Sequence, residues 1–295
     1  MGSSRCYCVA GQNFKIETNG NSQLFQCLSS FEPFFLKEDM EKSKLLFSLE
    51  VCNSEQIRKD VTVVKDFSID GATYHVARIP GGGYQYRLTW ERDLSACSVM
   101  DTNSDFSQVR VFLDGTSFFK RYSFNNFLMI AYAFAAASEG ILLIHSSVIM
   151  HKRKGYLFLG KSGTGKSTHS RLWLENIEDT ELLNDDNPVV RLENGKVFVY
   201  GSPWSGKTPC YKNKSVPVGA FVRLSQKPKN EIAQCGTALA YASLLPSFSN
   251  MIWDDRVNDA IATSISKIVI SCPVYKLGCL PNREAAVLCH DTIGK

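Results

Sequence analysis

The chain has 295 residues, of which 44% are hydrophobic and 21% charged, a balance that suits a globular protein with one or two buried cores. Its formal net charge of +4 comes without a long basic run, which argues against nucleic acid as a partner. The most apolar span, residues 127–137, is too short to cross a bilayer, so no membrane is expected.

No charged start followed by an apolar core marks a secretion signal, and none of the ten cysteines forms a C-x-x-C pair. Free thiols in a reducing cytoplasm are therefore expected, with Cys6 and Cys8 lacking a matching Cys/His pair for a metal. Residues 1–120 read as a β-rich domain. Residues 14–18 alternate and run into Asn19-Gly20, a hairpin signal. Strands are predicted over 44–52, 61–67, 72–79, 84–90 and 109–113, with turns at Asp70-Gly71 and Asp114-Gly115 and a hairpin tip at Gly81-Gly82-Gly83.

The pattern changes near residue 121, where an α/β domain running to 295 is predicted. Ser123 is placed to cap a helix with apolar residues over 127–134, and Gly140 to end it. Residues 141–150 then read as one continuous strand containing His145, joined by the solvated turn Lys152-Arg153-Lys154 to the short apolar run 156–159. A helix follows over 168–177, a short strand ends at Asn184-Asp185-Asp186, and Asn194-Gly195 marks a hairpin between 189–192 and 197–200. Beyond it come a strand over 218–224, helices over 237–245 and 257–268 with Asp254-Asp255 as cap, a strand over 274–277 and a helix after Pro281.

Between the run 156–159 and its helix lies Gly160-Lys161-Ser162-Gly163-Thr164-Gly165-Lys166-Ser167-Thr168, which fits G-x-x-x-x-G-K-[ST] at every fixed position. Glycines let backbone N–H groups wrap an anion, and the helix start adds partial positive charge. Lys166 is placed to reach the β- and γ-phosphates of ATP and the Ser167 hydroxyl to ligate Mg.

Such a loop needs a carboxylate near the metal. Asp185 and Asp186, at a strand end, offer two, so one can hold the metal while the other accepts a proton. Lys207, in the unusual loop Gly201-Ser202-Pro203-Trp204-Ser205-Gly206-Lys207, is a candidate second cation for the transferring phosphoryl group. His145 reads equally as a core or a catalytic histidine.

Taken together, Leu142 to Ser146, Gly160 to Thr168, Leu183 to Asp186 and Gly201 to Lys207 resemble the HPr kinase/phosphorylase and phosphoenolpyruvate-carboxykinase superfamily, over about residues 140–290. The resemblance implies a P-loop, carboxykinase-like C-terminal domain with Asp185 as catalytic base, Asp186 and Ser167 as magnesium ligands, Lys166 as phosphate anchor and His145 assisting the base. The chain departs from HPr kinases in having Asn187, not arginine, after the aspartates. The glycine-rich segment tied to HPr docking is also not evident.

The expected function is an ATP- and Mg-dependent kinase acting on a serine-like hydroxyl of a small molecule, peptide or protein. A nucleotide-binding regulator and a phosphoenolpyruvate- or pyrophosphate-using relative are the alternatives. The first domain is left with packing, homo-oligomer contacts or substrate selection.

Overall fold

The computed structural model describes residues 4–37, 44–69, 71–91, 93–206 and 208–294, so Asp70 of the expected Asp70-Gly71 turn lies outside the described residues. The chain is a mixed α/β protein with two large sheets, divided into compact units spanning 1–136 and 137–295.

In the first unit the strands are β1 (Ser4–Val9), β2 (Gln12–Glu17), β3 (Phe35–Leu36), β4 (Phe47–Val51), β5 (Thr62–Ile69), β6 (Ala72–Arg78), β7 (Tyr84–Trp90), β8 (Asp93–Thr102) and β9 (Gln108–Phe112). They form one sheet in the order β3-β1-β2-β4-β9-β8-β7-β6-β5. One side is covered by a 3-10 stretch, Ser22–Phe34, and by α1 (Ser117–Ala136). Alternation places Phe14 and Ile16 of β2 on the buried face, where Phe14 stacks on Phe47 at 4.8 Å and meets Tyr132 of α1 at 6.2 Å.

Two expectations are corrected here. Asn19-Gly20 does turn left-handed (φ 46° and 88°), but it leads into the 3-10 stretch, and the hairpin lies at Ala10-Gly11. The cause is the apolar spacing: Phe25, Leu28, Phe31 and Phe34 recur every three residues, which suits a 3-10 helix and buries all four. Ser123 does not cap α1; it is buried mid-helix, and Thr116 accepts the Phe119 N–H at 3.3 Å instead. Position 121 falls inside α1, whose Phe119, Phe124 and Phe127 are buried and which packs on β4, β8 and β9 of the first unit.

The second unit runs β10 (Ile141–Leu143), β11 (Ser146–His151), β12 (Lys154–Leu159), α2 (Lys166–Asn176), β13 (Thr180–Asp186), β14 (Val189–Glu193), β15 (Lys196–Tyr200), β16 (Ser215–Gln226), β17 (Glu231–Gln234), α3 (Thr237–Leu244), α4 (Asp255–Ser271), β18 (Val274–Cys279) and α5 (Arg283–Ile293). β16 is shared by two groups of strands: its start pairs antiparallel with β15, and its remainder runs parallel to β12 on one side and β18 on the other. β11 and β12 pair directly through a tight turn in which Lys152 and Arg153 both hold positive φ. Trp173 of α2 is fully buried against Tyr156, Phe158, Ala220, Val222 and α5, which fixes the loop helix to the sheet. The Asp254 carboxylate caps α4 by accepting the Val257 N–H at 3.1 Å, as expected.

The strand predicted as continuous over 141–150 is broken. β10 pairs with β14 and β11 pairs with β12 and β13, so the chain crosses between strand groups at Ile144 and His145. There the His145 N–H is taken by the Ser247 carbonyl at 2.7 Å, outside either ladder.

Candidate phosphate-loop site

β12 ends at Leu159, and the chain turns at once. Gly160 has no room for a side chain, since a Cβ there would lie 2.9 Å from the Thr164 Cβ. Gly163 and Gly165 take φ of 79° and 106°, and Gly165 stands at the head of α2. Lys166, Ser167 and Thr168 form the first turn of the helix, and Ser162 is exposed on the loop. α2 is held against β11 by the buried Ser147–Ser170 hydroxyl pair at 2.6 Å.

Lys166 Nζ donates to the Gly160 carbonyl at 3.0 Å and to His145 Nε2 at 2.7 Å. An ammonium only donates, so His145 Nε2 accepts and the ring proton sits on Nδ1. Nδ1 in turn lies 3.2 Å from Asp186 Oδ1, giving a continuous Lys166–His145–Asp186 chain. Burial pushes the Lys166 ammonium below its usual range, the Asp186 and Asp185 carboxylates pull it back, and Arg223 adds to the lowering.

The second aspartate partnership differs from the expected one. Ser167 Oγ donates to Asp185 Oδ1 at 3.0 Å, so the loop hydroxyl is grouped with Asp185, not Asp186. The two carboxylates are neighbours at the end of β13, and both act on Lys166. Asp185 is buried, at 6%, whereas the Asp186 side chain is 33% exposed and His145 43%, so of the two aspartates it is Asp186, beside His145, that is open to a molecule from solvent. Asp186 also holds φ of 156°, a conformation rare for a residue with a side chain.

Residues 201–206 dock on the backbone of Asp185 and Asp186. Gly206 N–H donates to the Asp185 carbonyl at 2.6 Å, and Ser205 pairs with Asp186. Buried Asn184 donates to the Ser202 hydroxyl and the Trp204 carbonyl at 3.2 and 3.1 Å, clamping the loop from beneath. Lys207 lies outside the described residues.

The sequence did not single out Arg223. It sits opposite Leu159 in the β12–β16 register, donates to the Ser243 carbonyl and the Ser247 hydroxyl at 3.2 and 2.9 Å, and acts electrostatically on Lys166. Its only sequence signal is a lone cation in the apolar run Phe221-Val222-Arg223-Leu224. With Lys161, Gln226, Ile232 and Lys276 it lines a cleft of about 1120 Å³ on the β16 side of the loop, away from the aspartates.

No protein-family model and no curated protein matches the chain. Among solved structures it is similar to the Hpr(Ser) kinase/phosphatase from Coxiella burnetii, at 12% identity and a TM-score of 0.31, over 50% of this chain and 86% of that one. No described helix is long and apolar enough to cross a membrane.

Proposed function

We propose that the second unit is an ATP- and Mg-dependent phosphotransferase that moves the γ-phosphoryl group to a hydroxyl of a small molecule, peptide or protein. The observation that carries the reading is the convergence of Lys166, Ser167, Asp185, Asp186 and His145 at the head of α2, linked by contacts of 2.7–3.2 Å.

The donor set suits a hard cation. Ser167 Oγ and Asp185 Oδ1 are 3.0 Å apart, close to the spacing of neighbouring oxygens around an ion with octahedral bonds of about 2.0–2.1 Å. Bound Mg would neutralise charge on the β- and γ-phosphates. In this reading Lys166 leaves His145 and Gly160 to hold phosphate oxygens, while Ser167 and Asp185 hold the metal. Asp186, reachable from solvent, takes the proton of the acceptor hydroxyl, and His145 Nδ1–H keeps its carboxylate aimed. These roles exchange the two aspartates relative to the assignment that the resemblance implies. The cleft beside Arg223 has room for a nucleoside.

The test is ADP formation from Mg·ATP, with and without free serine, serine-containing peptides and oxaloacetate, beside phosphoryl transfer with pyrophosphate in place of ATP. Acceptor-dependent ADP that disappears in Lys166→Ala supports a hydroxyl kinase. Dependence on oxaloacetate, or transfer from pyrophosphate without ATP, would replace it with the carboxykinase-like reading. Tight ATP binding without ADP under any condition would leave a regulator.

A further inference from the structure

We propose that His151 and His290 form a transition-metal site that fastens α5 to the β11–β12 hairpin. The site is independent of the phosphate loop. His151 closes β11 and His290 lies in the last turn of α5, and their Nε2 atoms are 3.3 Å apart. The outer nitrogens face oxygens: His151 Nδ1 lies 3.4 Å from the Asp179 carbonyl and His290 Nδ1 lies 3.4 Å from Asp291 Oδ1. The two Nε2 atoms are at hydrogen-bond distance, so without a metal one Nε2–H donates to the other. With both ring protons on Nδ1, toward those oxygens, each Nε2 presents a lone pair, and a cation that displaces the proton between them takes both.

The spacing fits a metal. A tetrahedral ion with bonds of about 2.0–2.1 Å to two imidazoles sets the nitrogens roughly 3.3–3.4 Å apart. Imidazole pairs select zinc, nickel or copper over magnesium. The Asp179 carbonyl and Asp291 carboxylate are the outer partners that orient ligating histidines. The C-terminal end of α5 adds partial negative charge. Among the described residues no group of three or more His, Cys, Asp or Glu is placed to hold an ion, so water completes the coordination, reaching it past the 20% exposed His290 side chain. Trp173 of α2 stands edge-on to both rings, 5.6 Å from His290 and 6.4 Å from His151, so the ion would stiffen the packing behind the loop helix.

The experiment is a zinc titration of the full chain followed by the ring nitrogen signals of its histidines, assigned with His151→Gln and His290→Gln. We expect the His151 and His290 Nε2 signals to move together and to be complete near one equivalent bound at that site, with Nδ1 protonated in both rings. His290→Gln should abolish the shift of His151. Zinc bound to thiols elsewhere leaves these two rings in place. Unmoved ring signals at a large excess of zinc, or a proton shared between the Nε2 atoms that zinc does not displace, would overturn the site. The wild-type spectrum decides even if a variant fails to fold.

Discussion

Asp185 and Asp186 are neighbours in sequence and strangers in environment: one is buried against the loop hydroxyl, the other shares a solvent-facing corner with His145. That contrast makes them separable. Asp186→Asn keeps shape but loses the proton acceptor, so turnover should fall roughly 10²–10⁴-fold while Mg·ATP binding is kept. Asp185→Asn should instead raise the Mg requirement and weaken Mg·ATP binding and turnover together. Magnesium titrations beside single-turnover rates with a working acceptor distinguish the two, and the opposite pattern would restore the assignment from resemblance. Lys166 and Ser167 were legible in the sequence because the motif fixes both spacing and chemistry. Which aspartate meets the loop hydroxyl was not, since a single sequence does not say how the end of a strand is turned toward the loop. Arg223 was hidden for a related reason: its contacts come from β12 and the turn at Ser247, both remote in sequence.

At the scale of elements, the segment 201–206 acts through its backbone. A Cβ on Gly206 would lie 3.1 Å from the Asp185 carbonyl and 3.3 Å from the Asp186 Cβ. Gly206→Ala must push the aspartate pair by a few tenths of an ångström. Turnover should drop on the order of tenfold, because misplacing reacting groups by 1 Å costs about 10²-fold. Thermal unfolding measured alongside should scarcely move. Thr116→Ala tests the start of α1: losing the cap at Phe119 should cost about 1 kcal/mol in chemical denaturation, whereas Ser123→Ala, which removes a buried hydroxyl with no partner, should not destabilise by that amount. The helix itself was readable from its apolar residues. Its beginning was not, because the serine nearest the apolar run was read as the cap while the chain turns earlier, at Gly115 (φ 87°).

For the second unit as a body, His169 sets a dependence on acidity. Burial drives its imidazole down to about 4, and its Nε2 accepts the Trp173 indole N–H at 3.2 Å. The unfolded ring titrates near 6.5. Between those values the unfolded chain binds a proton that the folded chain refuses, so stability is complete above the higher value and is lost as pH falls toward the lower one. The loss should be about 2 kcal/mol between pH 7 and pH 5. Urea midpoints followed by tryptophan fluorescence should show it, and His169→Gln should flatten the difference.

The parallel register of β12 against β16 has a consequence for how the chain is made. Leu157 pairs with Phe221, so the phosphate loop, α2, both aspartates and residues 201–206 all lie within the chain that this one contact closes. Closing so long a segment is slow compared with forming a helix or hairpin. A nascent chain therefore carries the whole phosphate-loop sequence while β12 still has only one of its two neighbours, and the Arg223 flank of the cleft does not exist until β16 has been synthesised.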